Sequence, residues 1–145
     1  MRIDGRWFRF PDGIERPVVD AHLLLPGGQL AALSLVIDSG ADFTVLTHTV
    51  IQQPAPYVQP IPFGQVAIGV GGTTAMQALS VDLVLTAISG QQARLSGPIP
   101  VLSSQSGLAF SALGRNAIDL FDLIYSQRRG LIALLTSPDT FTLSS

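Results

Sequence analysis

Leu33-Ser34-Leu35-Val36-Ile37-Asp38-Ser39-Gly40-Ala41 is an apolar run that ends in a carboxylate, followed at once by Ser-Gly-Ala. The run from Leu33 to Ile37 has the length and composition of a buried strand. Such a strand does not normally end in an acid, because desolvating a carboxylate is costly unless partners hold it. The Ser39 hydroxyl and the backbone at Gly40 can supply hydrogen bonds, and Gly40 lets a second chain approach closely. The arrangement suits an acid kept reactive in a partly dry site. Hydrolysis by aspartate needs two carboxylates, however, and Asp-Ser-Gly occurs only once in this chain.

Outward from that stretch, short apolar runs alternate with Gly and Pro punctuation, the pattern of an all-β barrel or sandwich. Arg16 to Leu25 reads as a strand whose Pro17 is acceptable only at its start or on an edge. Pro26-Gly27-Gly28-Gln29 makes a hairpin turn, and Leu30 to Ile37 returns beside it. Trp7 to Phe10 is an aromatic strand ended by Pro11-Asp12-Gly13. Thr44 to Leu46 is a short strand, and Thr47 caps a brief helix ending before Pro54. Pro54 to Pro62 is irregular. Val66-Ala67-Ile68 and Thr73 to Leu79 flank the glycine-rich tip Gly69-Val70-Gly71-Gly72. Leu79 to Ile88 and Ala93 to Leu95 form another hairpin, and Ile99 to Leu102 adds a strand. Helical spacing runs from Arg115 to about Asp122, with Ile118 and Phe121 facing inward. Leu123 to Tyr125 and Leu131 to Leu135 flank a turn at Gln127-Arg128-Arg129-Gly130, and Phe141-Thr142-Leu143 is a last short strand.

The 145 residues fit a single domain, residues 1–145, with no internal repeat or linker. At 47% hydrophobic and 12% charged, the chain has ample material for a core. A net charge of −2 gives no reason to expect nucleic acid or an anionic membrane as a partner. Absence of cysteine excludes disulfides and thiolate metal sites. No apolar run is long enough to cross a bilayer as a helix. Met1 to Arg6 carries an acid and a Gly where a signal peptide would be apolar, so the expected location is cytoplasmic.

Three features stand in order: Ile37-Asp38-Ser39-Gly40-Ala41, Gly69-Val70-Gly71-Gly72, and Ala112-Leu113-Gly114-Arg115-Asn116. Together they resemble the retropepsin family of single-domain aspartic proteases, from about Arg16 to Leu135. The resemblance implies a closed barrel-like all-β fold with a β-hairpin flap and one short C-terminal helix. It implies a homodimer in which Asp38 from each of two identical chains forms the catalytic dyad, with an extended peptide as substrate and no metal or other cofactor. In the same terms, Ser39 corresponds to the position that bridges to the partner chain, and Gly40 to one whose carbonyl contacts substrate. Ala41 completes the motif, and Asp42 corresponds to the acid paired with the helix arginine, here Arg115. Gly69, Val70, Gly71 and Gly72 correspond to the flap, with Val70 at its tip. The chain departs from the viral pattern in a longer Ser- and Gly-rich stretch from Leu95 to Leu113, and in the hairpin from Leu123 to Leu135.

Other chemistries fit less well. No helix start or Lys follows Gly69 to Gly72, so those glycines do not form a phosphate loop. No nucleophile elbow surrounds Ser39 that would make a triad with His48. His22 and His48 lack metal-ligand spacing. Trp7, Phe8 and Phe10 read as strand packing. Asp38-Ser39-Gly40 can also be read as a plain tight turn in which Asp and Ser satisfy the backbone. The rival to the enzyme is a catalytically inactive dimer of this fold that binds extended peptides.

Overall fold

A computed structural model describes residues 1–52, 61–67, 73–102 and 109–142. The first part of the chain forms β1 (Arg2–Asp4), β2 (Arg6–Arg9), β3 (Glu15–Leu24), β4 (Leu30–Ile37) and the single helical turn α1 (Thr49–Gln52). β5 (Ile61–Ala67), β6 (Thr73–Ser80), β7 (Asp82–Thr86), β8 (Gln92–Leu95) and β9 (Pro98–Val101) follow. The last part comprises β10 (Ser111–Leu113), α2 (Arg115–Ile118), β11 (Asp122–Ser126) and β12 (Leu131–Leu135). Among the described residues the strands make three sheets: β1-β12-β11, β5-β6-β9, and a central sheet β10-β4-β3-β7-β8 with β2 also on β3. The mainly β expectation holds, but backbone pairing does not close these strands into one ring. β1 joins β12 and β11, while β5, β6 and β9 form a sheet of their own.

The β3–β4 hairpin follows the sequence signals closely. Leu24 faces Leu30 across the turn, where Leu25 N donates to Gln29 O at 2.8 Å and Gly28 N to Leu25 O at 3.0 Å. Pro17 lies at the end of β3 that β2 pairs and β4 does not. In β4 the exposed Ala32 and Ser34 alternate with half-buried Ala31 and Leu33, but Leu35, Val36 and Ile37 are all buried. The change has a cause: β10 pairs parallel with that end, Leu35 opposite Ser111 and Ile37 opposite Leu113. A strand flanked on both edges and covered on both faces loses its alternation. Around it, Leu23, Leu46, Leu83, Leu113, Ile132 and Leu134 are almost fully buried. Truncating such a leucine to alanine costs about 2–5 kcal/mol.

Several boundaries differ from expectation. The helix after Gly114 spans Arg115–Ile118 and stops well before Asp122. Leu120 is 66% exposed, and Asp122 and Leu123 already pair with Leu135 and Leu134. Strand pairing of that apolar segment outweighs its helical spacing. Val45 and Leu46 make single bridges to Ala112 and Val101 instead of a strand. β5 begins at Ile61. β1 was not foreseen, and Phe141 and Thr142 lie in no strand. β1 and β2 belong to different sheets because the chain turns at Gly5, whose N donates to Ile132 O at 3.0 Å. A Cβ at Gly5 would stand 2.6 Å from Val18 O, so the corner has room only for glycine.

An aromatic cluster lies on the outer face of the central sheet. The Phe8 and Phe10 rings meet edge-on at 5.2 Å, and Phe10 and Phe110 at 5.4 Å. Arg16 stacks 5.0 Å over both Phe10 and Phe110 and forms a two-point pair with Asp12, at 3.0 and 2.7 Å. These hydrogen bonds from Arg16 hold the Asp12 carboxyl below its ordinary value. A lowered carboxyl pKa stabilises the fold at pH above the unfolded value, about 3.9 for Asp, and the benefit is lost as pH falls through the folded value. The melting temperature of Asp12→Asn should therefore fall slightly below that of the wild type at neutral pH and match it in strong acid.

Candidate active site

Asp38 stands one residue beyond β4, exposed on the surface of the chain. Its N donates to Leu113 O at 3.0 Å, which extends the β4–β10 pairing to the acid itself. Its Oδ1 accepts from Gly40 N at 2.9 Å, and Ala41 N donates back to Asp38 O at 3.2 Å. The segment is thus a tight turn, and the carboxylate is part of what closes it. Among the described residues no hydrogen bond reaches Oδ2, and no cation lies within ion-pair distance of Asp38. One carboxylate oxygen orients the group while the other faces solvent. The partly dry setting expected for the acid is not present in the single chain.

What holds this loop is a clamp between residues 38–45 and 112–116. Arg115 N donates to Ala41 O at 2.8 Å and Asn116 N to Asp42 O at 3.0 Å. Thr44 is fully buried. Its N and Oγ1 both donate to Asn116 Oδ1, at 2.7 and 2.9 Å. Thr44 Oγ1 in turn accepts from Gly114 N at 3.1 Å. Val45 and Ala112 exchange a pair of backbone bonds at 2.9 Å each. Gly114 has extended backbone, and a Cβ there would lie 2.3 Å from Phe43 C and 2.4 Å from Phe43 O. The two segments touch backbone to backbone.

Asp42 and Arg115 do approach each other, at 3.6 Å, but both side chains are more than half exposed. Arg115 is also shared with Asp119 at 3.5 Å. Exposed pairs of this kind contribute little. The expected tie between loop and helix therefore exists, but the backbone and the Thr44–Asn116 pair make it. Neither Thr44 nor the side chain of Asn116 stood out as a site residue. The visible signal was a lone polar residue inside the apolar run from Phe43 to Leu46. Asn116→Ala should strand two buried Thr44 donors and cost about 2 kcal/mol, read as a lower urea midpoint at unchanged slope. Arg115→Ala should move that midpoint little.

Ser39 and Gly40 are exposed beside Asp38, and Ala41 is half-buried. β5 and β6 pair antiparallel with Ala67 opposite Thr73. Gly69, Val70, Gly71 and Gly72 fall between those two positions, outside the described residues. Among the described residues no three His, Asp or Glu side chains cluster as metal ligands, and no helix is long and apolar enough to cross a membrane.

Solved structures similar to this chain include the retropepsin-like aspartic protease from Rickettsia conorii, at 16% identity and TM-score 0.53, over 92% of this chain and 88% of that one. The EIAV protease in complex with the inhibitor HBY-793 is similar at 20% identity and TM-score 0.48, over 72% of this chain and 86% of that one. No family model and no curated protein matches the chain. The likeness to the rickettsial structure identifies the fold as the retropepsin-like one.

Proposed function

We propose that the chain is an aspartic endopeptidase whose site is completed by a second copy, so that two Asp38 carboxylates form the catalytic dyad. The observation that carries this reading is an exposed carboxylate, free of any cation among the described residues, on a loop clamped to β10 and α2 in a retropepsin-like fold. Ser39 and Gly40 flank it on the open surface, where a second copy can meet the loop.

Two carboxylates brought together cannot both ionise easily, so the pair shares one proton and titrates in two separated steps. The ionised carboxylate takes a proton from a bound water as that water attacks the scissile carbonyl carbon. The protonated one gives its proton to the carbonyl oxygen. Collapse of the resulting diol breaks the C–N bond, with a proton passing to the leaving nitrogen. The cycle needs one acid and one base, so the pH–rate profile should be bell-shaped. Gly69 to Gly72, joining the paired strands β5 and β6, would cover an extended peptide held chiefly through its backbone.

Cleavage profiling of a peptide library tests the reading. Cuts at defined positions are expected from the wild type. A folded dimer that binds peptides and cuts none of them would leave the inactive peptide-binding reading in its place.

A further inference from the structure

The aromatic groove beside β2 lies on the same face of the central sheet as Asp38, and we propose that it is a subsite for an aromatic or large aliphatic side chain of the substrate. This rests on the endopeptidase reading above. Side chains alternate along a strand, so Ala32, Ser34 and Val36 point to one face, and Asp38 is the next member of that series. Ala32 and Ser34 line the groove together with Phe8, Phe10 and Phe110. Phe110 belongs to the same face, because Ala112, two residues on, is paired with Val36.

The chemistry of the groove selects its occupant. Arg6 is paired with Asp20 at 2.9 Å and Arg16 with Asp12 at 2.7 Å, so neither cation is left over for an anionic ligand. Both lie about 5 Å over phenylalanine rings, and what they leave exposed is largely ring surface. Phe8 remains 45% exposed. A volume of about 290 Å³ is small for a whole ligand but suits one large side chain. Ser34 is four residues from Asp38, about 13 Å along the strand, which an extended peptide covers in about four residues. The groove therefore reads a substrate residue about four positions from the scissile bond.

The test uses matched peptides carrying Phe or Ser at that distance from the cut, with the wild type, Phe8→Ser, and Ala32→Trp, which fills the groove from an exposed position. Cleavage by each chain is compared as kcat/KM, and binding of fluorescein-labelled peptides is measured on Asp38→Asn with and without the same changes. The Phe peptide should be favoured about tenfold or more in both measurements, and either groove substitution should bring the ratio close to one. A wild type that cleaves both peptides alike, or groove variants that keep the full preference, overturns the subsite. A wild type that cleaves neither peptide, while Asp38→Asn still binds the Phe peptide preferentially, overturns the endopeptidase reading and leaves the groove.

Discussion

Asp38→Asn should yield a folded protein that no longer cleaves peptides, with kcat lower by about 10³-fold or more. The substitution keeps shape and volume, and the amide oxygen can still accept from Gly40 N, so the turn that orients residue 38 survives. Asp38 is exposed and bonded to no cation among the described residues, so its neutralisation should change stability by less than about 0.5 kcal/mol. What the change removes is the group that takes a proton from water, and an amide cannot replace it. Circular dichroism and a urea titration establish that the variant is folded, and a fluorogenic peptide then reads the chemistry. Undiminished cleavage by the folded variant would remove Asp38 from the mechanism.

Gly114→Ala should be the most damaging single change to the fold near the site. The backbone at Gly114 is extended and would tolerate any residue in isolation. The obstacle is Phe43, whose carbonyl carbon lies 2.3 Å from where the new methyl group must sit. Real carbon atoms do not approach so closely, and the blocking group is backbone that cannot rotate away. Either β10 or the loop from Asp38 to Thr44 must move, and the Gly114 N–Thr44 Oγ1 bond lies between them. The expected cost is about 3 kcal/mol, or roughly 10 °C in melting temperature for a domain of this size. Any activity that survives should be measured on the folded fraction, because displacement of the loop also moves Asp38. A variant as stable and active as the wild type would mean that the close approach is not a feature of the working protein.

The sequence displays some parts of this arrangement plainly and hides others. The β3–β4 hairpin is legible because its signals are local: two apolar runs with Pro-Gly-Gly between them. The end of β4 is legible as buried, but not the reason, since its parallel neighbour β10 is only Ser111-Ala112-Leu113 and lies more than seventy residues away. Three small residues with no alternation do not announce a strand. The Thr44–Asn116 bond is hidden for the same reason. Asp42 and Arg115 do meet as the sequence suggests, yet solvent weakens their pair, and exposure is a property of the fold that residue types do not record. The helix is overestimated because the segment from Leu120 to Leu123 has helical spacing while its hydrogen bonds go to β12. The flap residues Gly69 to Gly72 were assigned by position in the chain, and the pairing of β5 with β6 frames that position from both sides.

A single chain offers one Asp38, and two carboxylates are needed for acid and base together. Mixing the wild type with Asp38→Asn at constant total concentration, with the two refolded together so that their subunits exchange, tests this most directly. If each site takes one Asp38 from each of two copies, only wild-type pairs are active and cleavage falls as the square of the wild-type fraction. An equal mixture would then retain about one quarter of the activity. Retention of about one half, with a linear decline across the series, would show that one copy suffices and would contradict the shared dyad.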